Sequence, residues 1–195
     1  PPPDPVQERM EQQNQALNIP TEPAEGYTED DKPLTWPTPY KTFNALTLPR
    51  REWVYGYDYI KKYISVTASA GGIGKTSLTI VEALAIATGK PLLGVAVKQP
   101  SNVWVINLED PRVELEMRTI AAMQHFNITP EDIENKLFMD GEDDIQITLA
   151  AESRDGLIQN DALLQYMADK IKKNNIGVII IDPFVSAHLV NENNN

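Results

Sequence analysis

Eight consecutive residues, Ser69-Ala70-Gly71-Gly72-Ile73-Gly74-Lys75-Thr76, combine three glycines, a lysine and a hydroxyl at a spacing suited to holding phosphates. Gly71, Gly72 and Gly74 let the backbone turn its N–H groups toward one point, because glycine adopts conformations barred to other residues. Lys75 places a point charge on the β- and γ-phosphates of a nucleotide, and the Thr76 hydroxyl is a ligand for Mg²⁺. The pattern G-x-x-x-x-G-K-[ST] has Ser69 in place of its first glycine, a small residue for a small residue. Without a strand before it and a helix after it, the same run is only a glycine-rich turn. The expected ligand is therefore ATP with Mg²⁺, and the expected chemistry is phosphoanhydride hydrolysis.

A second group of residues completes such a site. Val178-Ile179-Ile180-Ile181 are four apolar residues ending in Asp182, the pattern of a buried strand delivering a carboxylate to the mouth of a sheet. Asp182 is expected to hold Mg²⁺ opposite Thr76. A metal and a phosphate cradle bind ATP, but hydrolysis also needs a group that orients the attacking water. Pro183 stands directly after Asp182, so a carboxylate must come from elsewhere. Glu109 and Asp110 follow the apolar run Val103 to Leu108, and Glu109 is the candidate catalytic carboxylate with Asp110 capping the helix behind it. Both also fit an ordinary acidic helix start.

The elements that must position these residues alternate along the chain. Tyr63 to Thr67 predicts a short strand entering the glycine loop, and Lys75 to Thr88 predicts a buried helix closed by Gly89 with Pro91 beyond. Val103 to Leu108 predicts a second strand. Asp110-Pro111 then predicts a helix start, with Val113, Met117, Ile120 and Ala121 as its apolar stripe. Leu137 to Met139 is a third strand, Asp161 to Lys173 a helix with Lys170, Lys172 and Lys173 at its C-terminal end, and Val178 to Ile181 the last strand. Strands alternating with helices predict an α/β core: a mainly parallel sheet with helices on both faces and ligands at the strands' carboxyl ends.

Residues 1 to 48 differ from the rest. They hold nine of the fifteen prolines, with Gln, Glu and Asp filling the gaps, and predict an arm or linker ahead of a core over 49–195. Within the arm, Met10 to Leu17 suggests a short helix, while Thr35-Trp36-Pro37 and Tyr40 to Leu48 suggest an extended approach packed on the core or on a neighbouring subunit. The chain starts Pro1-Pro2-Pro3 and ends Asn193-Asn194-Asn195 just after a central strand, the expectation for a piece of a longer protein, incomplete at its C-terminal end. Cysteine is absent, which excludes thiolate metal sites and disulfides and is compatible with a cytoplasmic location. No apolar stretch is long enough to cross a bilayer. A net charge of −11 argues against a broad basic surface, leaving local clusters such as Lys98 and Lys41 for contact with nucleic acid.

Taken together, S-A-G-G-I-G-K-T-S, V-W-V-I-N-L-E-D-P-x-x-E-x-x-x-R and V-I-I-I-D-P-F resemble the RecA-like P-loop ATPases related to the hexameric plasmid replicative helicase RepA, over residues 49 to 188. The resemblance implies a RecA-like core, a nucleotide-binding loop running on through Ser77, and Glu109 acting on the attacking water. It implies a homo-oligomer, with a hexamer among the expected forms, and single-stranded DNA as a partner in replication or mobile-element maintenance. It also implies a nucleotide-site role for Arg118, although Glu114 four residues earlier accounts for Arg118 equally well as a helix-surface ion pair. A sensor residue and an arginine finger lie C-terminal to the Asp182 strand in such proteins. The ParA-like partition ATPases share G-G-x-G-K-T but need a lysine where this chain has Ala70. A regulatory ATP-binding module with slow turnover is the alternative function. Tyr55, Tyr57 and Tyr59 are candidates for stacking on adenine, against ordinary packing.

Overall fold

A computed structural model describes residues 48–153 and 156–190. The chain divides between Leu48 and Pro49 into two units. The readings of Met10 to Leu17, Thr35-Trp36-Pro37, Tyr40 to Thr47 and Lys41 lie outside the described residues.

A parallel sheet of three strands carries the core: β3 (Asn102–Asn107) in the centre, β4 (Leu137–Asp140) on one side and β7 (Ile176–Asp182) on the other. Every residue of β3 from Val103 to Asn107 is buried, as a strand covered on both faces requires. Alternate residues serve opposite faces. On one face Val103, Val105, Val178 and Ile180 pack against Ala83, Ile86 and Ala87 of α1 (Lys75–Thr88). On the other face Trp104 and Ile106 meet Met167, Leu163 and Ile171 of α4 (Asp161–Lys173). The expected arrangement of helices on both faces of a parallel sheet is thus present in a small three-stranded core. The indole N–H of Trp104 is satisfied at its rim, donating to Asp140 Oδ2 at 2.6 Å.

Helix α1 is apolar nearly all round because it is covered nearly all round. Leu84 and Ile86 are fully buried, each contributing about 1.5–3 kcal/mol from burial. Gly89 ends it in the left-handed conformation, its N–H donating to Ala85 O at 2.8 Å. Behind α1 lies α2 (Arg112–Phe126), joined through Ile80, Leu84, Met123 and Phe126, and a one-turn helix, α3 (Pro130–Ile133), opened by a Thr129–Asp132 capping box.

Several sequence expectations need correction. Tyr63 to Thr67 is not a strand: it has no neighbouring strand to pair with among the described residues, and Tyr63, Ile64 and Val66 are exposed. Branched side chains favour a strand only where a sheet receives them. The chain instead builds an antiparallel hairpin just before, β1 (Trp53–Tyr55) with β2 (Tyr59–Ile60). A second hairpin, β5 (Ala150–Ser153) with β6 (Gly156–Gln159), precedes α4. On α2 the expected stripe of Val113, Met117, Ile120 and Ala121 faces solvent, and Leu115, Thr119, Ala122, Met123 and Phe126 face the core. Asp110 does not cap that helix: Pro111 is the N-cap residue, and Asp143 Oδ1 accepts from the Arg112 N–H at 2.8 Å. No helix among the described residues is long and apolar enough to cross a membrane.

Candidate functional site

The glycine loop leads directly into α1. Gly72 and Gly74 have φ of 75° and 95°, in the left-handed region where a side chain is strained. A Cβ added at Gly71, Gly72 or Gly74 would meet nothing within 4 Å, so the loop backbone borders open space. Gly74 is the N-cap residue of α1 and offers no side chain to its first-turn N–H groups. Those donors and the partial positive charge of the helix end therefore face the loop, the usual setting for an anion. Lys75 Nζ donates to Ser69 O at 3.2 Å and to Ala70 O at 3.0 Å, holding the ammonium against the loop backbone. Ile73 points outward and Ser77 is exposed on the first turn.

One hydrogen bond ties this loop to the sheet. Thr76 Oγ1 donates to Asp182 Oδ2 at 2.7 Å, joining residues 106 positions apart. A hydroxyl and a carboxylate are hard oxygen donors, and their separation is close to the roughly 2.9 Å edge of an octahedron built on the short bonds of Mg²⁺. The pair fits Mg²⁺, with Thr76 and Asp182 as the residues that would hold it.

The second strand end lies alongside. Register pairs Asn107 of β3 with Asp182 of β7, and the Leu108 N–H donates to Asp182 O at 2.9 Å. Asn107 is buried, and its Oδ1 accepts from the N–H groups of Glu109 at 2.9 Å and Asp110 at 2.7 Å. That turn presents Glu109 to solvent at the carboxyl end of the sheet, two residues beyond the Asp182 level. Glu109 forms no hydrogen bond with Thr76, Asp182 or the glycine loop. Asn107 escaped the sequence reading; a polar residue closing an otherwise apolar strand, immediately before Glu-Asp, is the signal that could have found it.

Arg118 sits on α2 between two carboxylates, with Nη1 2.8 Å from Asp110 Oδ2 and Nε 2.9 Å from Glu114 Oε1. The ion pair with Glu114 is present, and Asp110 joins it. The structure therefore brings Ser69 to Thr76 together with Asp182 and sets Glu109 at the adjacent strand end, while Arg118 is held by its own helix and the turn before it. His125 stacks edge-on against Phe126 with ring centroids 4.6 Å apart, and His188 lies 5.4 Å from the Phe184 ring.

The tyrosines before the loop divide. Tyr55 and Tyr59 pack edge-on at 5.9 Å against α1, and Tyr59 donates to Glu82 Oε2 of that helix at 2.7 Å. Burial first, then the bond to Glu82, pushes the Tyr59 phenol far up. Tyr57 instead stands exposed.

A profile of the AAA domain family matches residues 31–195, beginning within the proline-rich segment and covering the whole of the core. Neither the curated proteins nor the solved structures contain a match to the chain. With the glycine loop, the Thr76–Asp182 pair and a family profile covering most of its length, the chain belongs to the AAA domain family of nucleotide-binding ATPases.

Proposed function

We propose that residues 49–195 form a RecA/RepA-like core that binds and hydrolyses Mg-ATP, following an arm over 1–48. It acts in the cytoplasm as a homo-oligomer, a hexamer among the expected forms, in a DNA-linked motor serving replication or mobile-element maintenance. The observation that carries the ATP chemistry is the 2.7 Å contact between Thr76 and Asp182 at the base of the glycine loop.

In this scheme residues 69–77 wrap the phosphates, with Lys75 leaving the Ser69 and Ala70 carbonyls for phosphate oxygens. Thr76 and Asp182 would hold Mg²⁺, which when bound would supply positive charge to offset the negative charge of the phosphates. Glu109 takes a proton from the attacking water as its oxygen bonds to the γ-phosphorus and the bond to the bridging oxygen breaks, giving ADP and inorganic phosphate. Arg118 steadies the turn that carries Glu109, through Asp110.

The second function, an ATP-dependent switch with slow turnover, is favoured by the exposed position of Glu109, which must approach the loop before it can act. Steady-state ATPase with and without single-stranded DNA separates the two. A motor is stimulated by the strand and a switch is not. Lys75→Ala is expected to weaken nucleotide binding in either case, and unchanged ATP affinity in that variant would overturn the assignment of the loop.

A further inference from the structure

The hairpin of β1 and β2 carries a charge opposite to that of the chain as a whole. Arg50, Arg51, Lys61 and Lys62 flank its strands and Lys98 lies against it, five basic groups beside Glu52 and Asp58, with Glu82 reaching the hairpin through Tyr59, in a chain of net charge −11. All five are exposed. One ion pair, Lys61 to Glu52 at 3.3 Å, uses part of that charge.

Aromatic rings are interleaved with these cations. Tyr57 is 75% exposed and Tyr63 is 72% exposed. Lys98 Nζ sits 3.5 Å from the centroid of the Tyr57 ring, and Trp53 meets the same ring edge-on at 5.4 Å. The cation covers one face of Tyr57, and its high exposure leaves the opposite face to solvent. An exposed tyrosine held by a lysine and braced by a tryptophan forms a flat, charged platform.

The platform is fixed by backbone. The N–H groups of Lys98 and Gln99 donate to Val54 O at 2.8 and 3.1 Å, the Gly56 N–H donates to Ala96 O at 2.9 Å, and Tyr55 bridges Val97. Lys98 therefore belongs to the same rigid unit as the ring it covers. Beneath, Tyr59 is fastened to Glu82 on the helix that begins with Lys75 and Thr76.

We infer that this hairpin face, centred on Tyr57 and Lys98, is a binding surface for single-stranded nucleic acid, with bases stacking on Tyr57 and phosphates running along the flanking cations. Stacking requires bases with a free face, which a single strand offers and a duplex does not, while the cations serve the backbone of either. The inference rests on the DNA-linked function proposed above for its biological sense, but its physical basis is separate from the phosphate loop.

The test uses the full chain without nucleotide, titrated into a fluorescently labelled oligothymidylate and, in parallel, a duplex of equal length, with anisotropy as the readout. Preferential binding of the single strand is expected, with quenching of the intrinsic Trp and Tyr fluorescence. Tyr57→Ala should weaken it about five- to a hundredfold, and Tyr57→Phe should retain it. Lys98→Gln should lower the slope of log affinity against log salt by about 0.7. Lys172→Ala, on α4, should change neither. Lys75→Ala should still bind the oligonucleotide, so that a failed phosphate loop and a failed hairpin surface give different results. No binding by the wild type, equal affinity for duplex, or indifference to Tyr57→Ala would each overturn the inference, and a Tyr57→Ala variant that does not fold leaves the decision to Lys98→Gln and the duplex comparison.

Discussion

Thr76 and Asp182 meet at 2.7 Å although one opens a helix and the other closes a strand 106 residues later. The contact depends on two independent placements. Gly74 ends the loop so that Thr76 falls in the first turn of α1, and the parallel register of β3 with β7 sets Asp182 level with Asn107 at the sheet's carboxyl end. A single hydroxyl–carboxylate bond thereby joins the start of α1 to the carboxyl end of β7.

Replacing one member of that pair should act on metal use before it acts on fold. Asp182→Asn keeps the hydrogen-bond geometry and removes the charge, so the Mg²⁺ concentration for half-maximal turnover should rise about ten- to hundredfold. Titrating Mg²⁺ at saturating ATP measures this. An unchanged Mg²⁺ requirement would remove Asp182 from the metal site.

Glu109 and Asn107 should separate cleanly in kinetics. Glu109→Gln should bind ATP normally and lose about a hundred- to ten-thousandfold in kcat, the range for a general base. Asn107→Ala frees the two N–H groups that shape the Glu109 turn and should lower kcat with little change in KM. Normal turnover in the Gln variant would assign the water-orienting role elsewhere.

The parts of this architecture that could be read from sequence are those set by local pattern. The glycine loop, the α1 helix with its Gly89 stop, and the buried strands β3 and β7 each announce themselves within ten or so residues. What failed was decided by partners. Tyr63 to Thr67 has strand-forming side chains and no strand to pair with. On α2 two apolar stripes share the same i, i+4, i+7, i+8 spacing, one from Val113 and one from Leu115, and only contact with Ile80 and Leu84 of α1 selects the second. The Asn107 turn was hidden because its acceptor reaches backbone rather than a recognisable side-chain partner.

Arg118 is held by Asp110 and Glu114, half-exposed pairs that contribute at most about 1 kcal/mol to stability. Its guanidinium is thus committed to the turn bearing Glu109. Arg118→Ala should lower kcat severalfold and leave the ATP dissociation constant unchanged. A tenfold weaker ATP affinity would show a direct contact with nucleotide instead.

Tyr55 is 1% exposed, and its hydroxyl finds no hydrogen-bond partner among the described residues. An unpaired buried hydroxyl costs about 1–3 kcal/mol, so Tyr55→Phe should stabilise the fold by about 1 kcal/mol while keeping the edge-on contact with Tyr59. For a chain of this size the melting temperature should rise by about 2–4 °C. A lower melting temperature would mean that the hydroxyl has a partner.

Glu82 makes stability depend on pH in a direction opposite to that of a salt-bridged carboxylate. Burial raises its pKa above the ordinary 4.5; the hydrogen bond from Tyr59 pulls the other way, and the charge of Asp58 adds to the rise. The folded protein therefore holds the Glu82 proton more tightly than the unfolded chain does. That contribution is fully present below pH 4.5 and is lost as pH rises through the higher folded value, after which it stays constant. Tyr59, whose phenol remains protonated throughout this window, keeps donating to the carboxylate as it ionises. Glu82→Gln removes the titration and retains an acceptor for Tyr59. The wild type should accordingly lose stability relative to Glu82→Gln as pH increases from about 4.5 toward neutrality, measured as the difference between their melting temperatures across a buffer series. A difference that is flat with pH would show that folding leaves the Glu82 pKa unchanged, and one that shifts in favour of the wild type would show that folding lowers it.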